Sequence, residues 1–125
     1  MSWQFQADQP IYTQLFARLQ QQIVSGVYPP GSKLPSVREL AADAGVNPNT
    51  VQRAFAELER AGLIYTQRTA GKFVTEDAAA VAAARRSLAE AQTRQYLAAM
   101  RALGCGKQEI HNLFDQMEEQ EHADL

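Results

Sequence analysis

Ser36-Val37-Arg38-Glu39-Leu40-Ala41-Ala42-Asp43-Ala44-Gly45-Val46-Asn47-Pro48-Asn49-Thr50-Val51-Gln52-Arg53-Ala54-Phe55-Ala56-Glu57-Leu58 is the stretch that decides the fold. Ser36 with Glu39 three residues on has the spacing of a capping box, in which each side chain bonds the other residue's backbone N–H. Val37, Leu40 and Ala41 then give a short helix one apolar face. Gly45-Val46 breaks that helix, and Asn47 caps the next one. Pro48 takes its first position, where a missing N–H costs nothing. Val51, Ala54, Phe55 and Leu58 recur at i, i+3, i+4, i+7 and predict a buried stripe, and Gly62 closes the helix. Two short helices joined by Ala-Gly-Val form a helix-turn-helix pattern.

Outward from this centre, the flanks extend the same pattern. Leu63-Ile64-Tyr65-Thr66 and Lys72-Phe73-Val74-Thr75 are β-prone runs around Gln67-Arg68-Thr69-Ala70-Gly71, so a hairpin follows the third helix directly, as a wing does. Upstream, after a short polar lead from Ser2 to Gln9, Pro10 opens a helix. Its apolar stripe is Ile11, Leu15, Leu19 and Ile23, with Phe16 beside it, and Gly26 and Tyr28-Pro29-Pro30-Gly31 end it. From Asp77 the chain turns Ala-rich with no breaker before Gly104, which predicts one long helix. Gly104-Cys105-Gly106 turns the chain into a last amphipathic helix marked by Ile110, Leu113, Phe114 and Met117, with a frayed acidic tail from Glu118 to Leu125. The expected fold is mainly α with a small β-hairpin wing. A winged helix-turn-helix occupies residues 10–75 and a helical dimerisation region residues 76–125.

Formal net charge is −2 over 125 residues, which taken whole argues against nucleic acid. The distribution matters more. Met1 to Thr75 carries seven Lys/Arg against five Asp/Glu, and Glu76 to Leu125 five against nine. The N-terminal part can therefore meet phosphates while the C-terminal part faces elsewhere. Cys105 is the single cysteine, so no disulfide forms within one chain. No apolar run is long enough to span a bilayer and no signal-peptide pattern opens the chain, so a cytoplasmic setting is expected.

With the apolar stripe of the third helix turned inward, Asn49, Arg53, Ala56 and Arg60 fall on the opposite side and Gln52 on its flank. Asn and Gln bond adenine edges, Arg bonds guanine, and Ala admits a thymine methyl. Thr50 and the capped helix start can hold a phosphate through hydroxyl, N–H groups and dipole. A solvated polar face is the plain alternative, and the preceding helix-turn pattern weighs against it. Arg38 fits a phosphate clamp or a base at the groove edge, and reads otherwise as a surface arginine near Glu39 or Asp43. Ser36 and Asn47, at the two helix starts, complete this set. In the hairpin, Arg68 and Lys72 flank the small residues Thr69, Ala70 and Gly71, a tip suited to a minor groove and equally readable as an ordinary solvated turn.

Ile11-Tyr12-Thr13-Gln14-Leu15, Ile23-Val24-Ser25-Gly26, Pro30-Gly31-Ser32-Lys33-Leu34-Pro35-Ser36-Val37-Arg38-Glu39-Leu40-Ala41, Gly45 to Val51 and Leu58 to Ile64 together resemble the GntR family of bacterial regulators. The resemblance covers about residues 10 to 75. It implies that Arg38, Asn49, Thr50, Gln52 and Arg53 contact DNA, with the wing around Arg68 to Gly71 in the minor groove. Thr69 stands where the family's wing usually has the first glycine of Gly-x-Gly. About fifty residues after the wing are too few for the family's large ligand-binding or aminotransferase-like domains. The short tail looks like the YtrA subfamily, whose members are dimeric repressors, often of operons that include ABC transporters.

A two-helix tail has too little core to be ordered alone, so pairing with a second chain is expected. Ala84, Ala91 and Ala99 would let backbones approach, while Val81, Leu88, Leu103, Ile110, Leu113, Phe114 and Met117 supply apolar surface. The function expected is a homodimeric repressor on double-stranded DNA with a palindromic operator, with no enzymatic activity, metal or cofactor. A winged-helix module for protein–protein contact is the rival class, and predicts no salt-dependent DNA affinity. His111 with Asp115, and Glu118 with His122, have a spacing that metals use, but on an acidic helix they read as a wet face. Cys105 reads as a small residue in a turn; a metal- or thiol-responsive regulator would change only the signal. No effector is named by the sequence.

Overall fold

The computed structural model describes residues 3–123, which form five helices and an antiparallel hairpin. In chain order these are α1 (Ile11–Val24), α2 (Val37–Ala44), α3 (Pro48–Arg60), β1 (Ile64–Gln67), β2 (Gly71–Val74), α4 (Ala78–Ala102) and α5 (Lys107–Ala123). The architecture is the mainly helical fold with a hairpin wing that the sequence indicates. The chain divides into two compact units, one running up to Arg86 and the other from Ser87 onward.

In the first unit, α1, α2 and α3 enclose a core of Leu15, Leu19, Ile23, Leu40, Val51, Phe55 and Leu58, closed below by Leu34, Leu63, Ile64 and Val74. Phe55 and the leucines are stripped of water, each worth roughly 1.5–3 kcal/mol. Ile11 departs from the expected stripe and is 42% exposed. Steps of four residues advance a helical face by about 40° each, so a run of them drifts off any fixed direction. Leu15, Leu19 and Ile23 hold the core sector, Ile11 falls at its edge on the first turn, and Tyr12 comes into line with the buried face. Val81 and Ala84, on the first turns of α4, are half-buried against the same core.

Three further features differ from the expectation. Residues before Pro10 are not simply a polar lead: Trp3 and Phe5 stack at 6.0 Å and pack against the core. Trp3 donates its indole N–H to Asp43 at 2.9 Å and lies under the Arg18 guanidinium at 5.0 Å. The Gly31–Leu34 segment, where no strand pairing was expected, runs beside β2. Gly31 N–H donates to Val74, Val74 N–H to Ser32 and Leu34 N–H to Lys72, at 2.9–3.0 Å. The acidic tail is not frayed up to Ala123, because α5 continues through it; Asp124 and Leu125 lie outside the described residues.

In the second unit, the rest of α4 turns through Gly104, whose φ is +88°, into α5. Cys105 N–H closes the end of α4 on Met100 at 3.1 Å. Ile110 is buried, whereas Leu103, Phe114 and Met117 are 77%, 55% and 60% exposed.

Candidate nucleic-acid interface

Two capped helix starts set the site. Ser36 accepts the Glu39 N–H at 3.1 Å while the Glu39 carboxylate accepts the Ser36 N–H at 3.3 Å, the capping box predicted from spacing. Gly45 takes φ +69°, the left-handed turn that lets α2 stop and the chain reverse into α3. Asn47 Oδ1 accepts the Asn49 N–H at 2.8 Å, with Pro48 following. Ser36 and Asn47 thus use their side-chain oxygens to order the helix starts.

Phe55, Val51, Ala54 and Leu58 fix the roll of α3, since turning it would expose all four. That roll leaves Asn49, Gln52, Arg53, Ala56 and Arg60 exposed, with Thr50 half-buried at the helix start. Arg38 is exposed on the first turn of α2. The guanidinium of Arg53 lies 3.8 Å above the Tyr12 ring, which ties the outer face of α3 to the first turn of α1.

Carboxylates on α3 would repel phosphates, and both flank this face. Each is answered by a cation. Glu57 pairs with Arg60 at 2.7 Å, and Glu59 with Lys72 from β2. Lys72 also donates to Thr66, its cross-strand neighbour, at 2.8 Å, and Thr66 donates to Glu59. The hydrogen bonds from Lys72 and Thr66 hold the Glu59 carboxyl below the usual carboxylate range. The Lys72 ammonium is therefore engaged at the base of the wing, and its side chain is only 28% exposed.

The wing is a hairpin in register Ile64↔Val74, Tyr65↔Phe73, Thr66↔Lys72 and Gln67↔Gly71. Ile64 and Val74 face the core, and Tyr65 stacks on Phe73 at 5.8 Å on the other side. Arg68 and Thr69 are exposed at its tip. Gly71 holds φ +112°, and a Cβ there would come within 3.3 Å of Lys33 Cε. Lys33 thus brings a further cation to the wing.

Sequence reasoning passed over Tyr12 and Lys33. Tyr12 sits inside the helical sector defined by Leu19 and Ile23, which was the available signal; nothing local marked Lys33 as a neighbour of Gly71. Of the residues expected to pair with a second chain, Leu88 is half-buried, Ile110 buried, and Ala91, Leu103, Leu113, Phe114 and Met117 exposed. Among the described residues no group of three or more His, Cys, Asp or Glu is placed to hold a metal ion. Burial and the Glu109 carboxylate push the Cys105 thiol above its ordinary value. No described helix is long and apolar enough to cross a membrane.

The model of bacterial regulatory proteins, gntR family, matches residues 11–74. The HTH-type transcriptional regulator YhcF of Bacillus subtilis (strain 168) is 39% identical over 110 residues, spanning 88% of this chain and 91% of that protein. The HTH-type transcriptional repressor YtrA of the same organism is 48% identical over 69 residues, 55% of this chain and 53% of that protein. A solved GntR family transcriptional regulator from Listeria monocytogenes aligns with a TM-score of 0.85 and 40% identity, covering 90% of this chain and 98% of the other. The AraR DNA-binding domain, solved in complex with operator ORX1, aligns with a TM-score of 0.55 and 28% identity, over 60% of this chain and 99% of the other.

Proposed function

The chain belongs to the gntR family of bacterial regulatory proteins, a DNA-binding transcriptional regulator rather than an enzyme, and we propose that it acts as a homodimeric repressor on a palindromic operator. The observation that carries this reading is the outer face of α3. Asn49, Gln52, Arg53 and Ala56 stand in water on a helix whose roll is fixed by its core, with a capped start at one end and a basic wing beside it.

In the proposed complex α3 enters the major groove, where Asn49, Gln52 and Arg53 read base edges. Thr50 and the α3 start meet a phosphate, and Arg38 clamps another. Ser36 and Asn47 act by ordering the two helix starts beside the backbone. Arg68, Thr69 and Gly71 form the minor-groove tip, with Lys33 at its side. Lys72 contributes by holding the wing to α3 through Glu59.

The exposed apolar residues of the second unit, Ala91, Leu103, Leu113, Phe114 and Met117, together with the half-buried Leu88, support pairing of two chains through α4 and α5. A twofold pair would present two copies of α3 to successive major grooves, so the operator would be palindromic. The resemblance to the YtrA subfamily extends the proposal to an operon that includes an ABC transporter, repressed by occupancy of promoter DNA in the cytoplasm.

Fluorescence anisotropy on the chain's own upstream DNA against a scrambled duplex, across a salt series, tests the proposal. Tight binding to the native fragment that falls steeply with salt, and far weaker binding to the scramble, is expected. Equal feeble binding to both would overturn sequence-specific repression at that site.

A further inference from the structure

α5 carries a stripe of unusual symmetry. Lys107, His111, Phe114, Glu118 and Glu121 follow one another at i, i+4, i+7, i+11 and i+14, the alternating four–three spacing that keeps side chains on one side of a helix. Lys107 and Glu121 stand at equal distances on either side of Phe114, with His111 and Glu118 between them on the basic and acidic sides. Reversing the helix end for end about Phe114 therefore places Lys107 where Glu121 was and brings His111 to within one residue of Glu118.

The stripe lines an open cleft whose other wall is the C-terminal part of α4. The cleft consists of two cavities of about 480 and 360 Å³ that share Tyr96 and Phe114. Arg101, Lys107 and His111 border one cavity, and Glu118 and Glu121 the other. One end is thus basic, the other acidic, and the middle is aromatic, with Tyr96 43% and Phe114 55% exposed. The end charges are also set against their own helix dipole. Lys107 occupies the positive first turn of α5 and Glu121 its negative end, so each gains from an opposite charge supplied from outside.

We propose that this cleft is filled by α5 of a second copy, lying antiparallel to the first across a twofold axis that passes by Phe114. The inference rests on the homodimer reading above and specifies its register. Two Phe114 rings meet at the axis, each protomer's Lys107 faces Glu121 of the other, and His111 comes near Glu118, whose carboxylate also lies 3.4 Å from its own His122. A surface with separated charges of opposite sign is self-complementary only in this antiparallel sense, since a parallel pair would set like charges together.

The test is sedimentation equilibrium of the full chain at low and high salt, with K107E, E121K and the double variant K107E/E121K. Wild type is expected to be a dimer. Each single reversal creates two like-charge contacts per dimer and should raise the dissociation constant by about tenfold at low salt. The double variant should return to within about threefold of wild type. Unchanged helicity by circular dichroism separates these effects from misfolding. A dimer indifferent to both single reversals, or weakened by them and not rescued by the double, overturns the antiparallel register while leaving dimerisation standing. A monomeric wild type overturns dimerisation itself. As an independent readout, C105S/F114C should form an intermolecular disulfide on mild oxidation; a dimer that does not cross-link counts against the axis at Phe114.

Discussion

The guanidinium of Arg53 rests 3.8 Å above the ring of Tyr12, joining the outward face of α3 to the first turn of α1. A free arginine gives up much rotamer freedom when it binds, and a stacked one has surrendered part of it beforehand. Tyr12→Phe should leave operator affinity within about twofold, while Tyr12→Leu should weaken it by roughly 0.5–1 kcal/mol. Arg53→Ala should cost about 1–3 kcal/mol and relax discrimination at one base position. Binding titrations on single-base operator variants measure both effects; a Tyr12→Leu protein with full affinity would remove the stacking from the account.

Glu59 gives a pH-dependent stability of known sign. Its folded carboxyl is held below the ordinary value, chiefly by the hydrogen bond from Lys72 and then by that from Thr66. The contribution is complete above the unfolded carboxylate value, near about 4.3, and is lost as pH falls through the lowered folded value. Solvent reaches the pair, so Glu59→Gln should cost only roughly 0.5 kcal/mol at neutral pH. Urea midpoints of wild type and variant should converge on acidification, and a gap that widens instead would contradict the pairing.

Ser36→Ala removes one half of the capping box and should destabilise the first unit by about 0.5–2 kcal/mol, seen as a lower urea midpoint at unchanged slope. Ser36→Asp, which keeps an acceptor at the cap, should recover most of that loss.

Partial desolvation and the Glu109 carboxylate push the Cys105 thiol above its ordinary value. Alkylation by iodoacetamide near pH 8 should therefore be slower than for a free cysteine, and Glu109→Gln should speed it. A fast-reacting Cys105 in the wild-type chain would reopen its role as a sensor.

Local chemistry is what could be read without coordinates. Ser36 finds Glu39, Asn47 finds Asn49, and Phe55 finds Leu58 within one turn of chain, so residue type and spacing suffice. Long-range meetings were invisible. Trp3 reaches Asp43 across 40 positions, and Lys72 reaches Glu59 across 13, through a hairpin whose twist no spacing encodes. The same limit hid the pairing of Gly31–Leu34 with β2, because Gly31-Ser32-Lys33-Leu34 is too short and too mixed to carry a strand periodicity of its own. Fraying was expected of the acidic tail because chain ends tend to fray, whereas the helix propensity of its Glu/Gln run carries α5 on to Ala123.

Backbone partners on both sides of β2 also bear on behaviour at high concentration. With β1 along one edge and residues 31–34 along the other, β2 offers no open row of N–H and C=O groups to a neighbouring molecule. Pro35 follows at once on the outer segment, where it withholds the next donor. A wing exposed enough to enter a DNA groove is in this way kept from recruiting strands of other chains, which guards the free protein against sheet-mediated aggregation on that side.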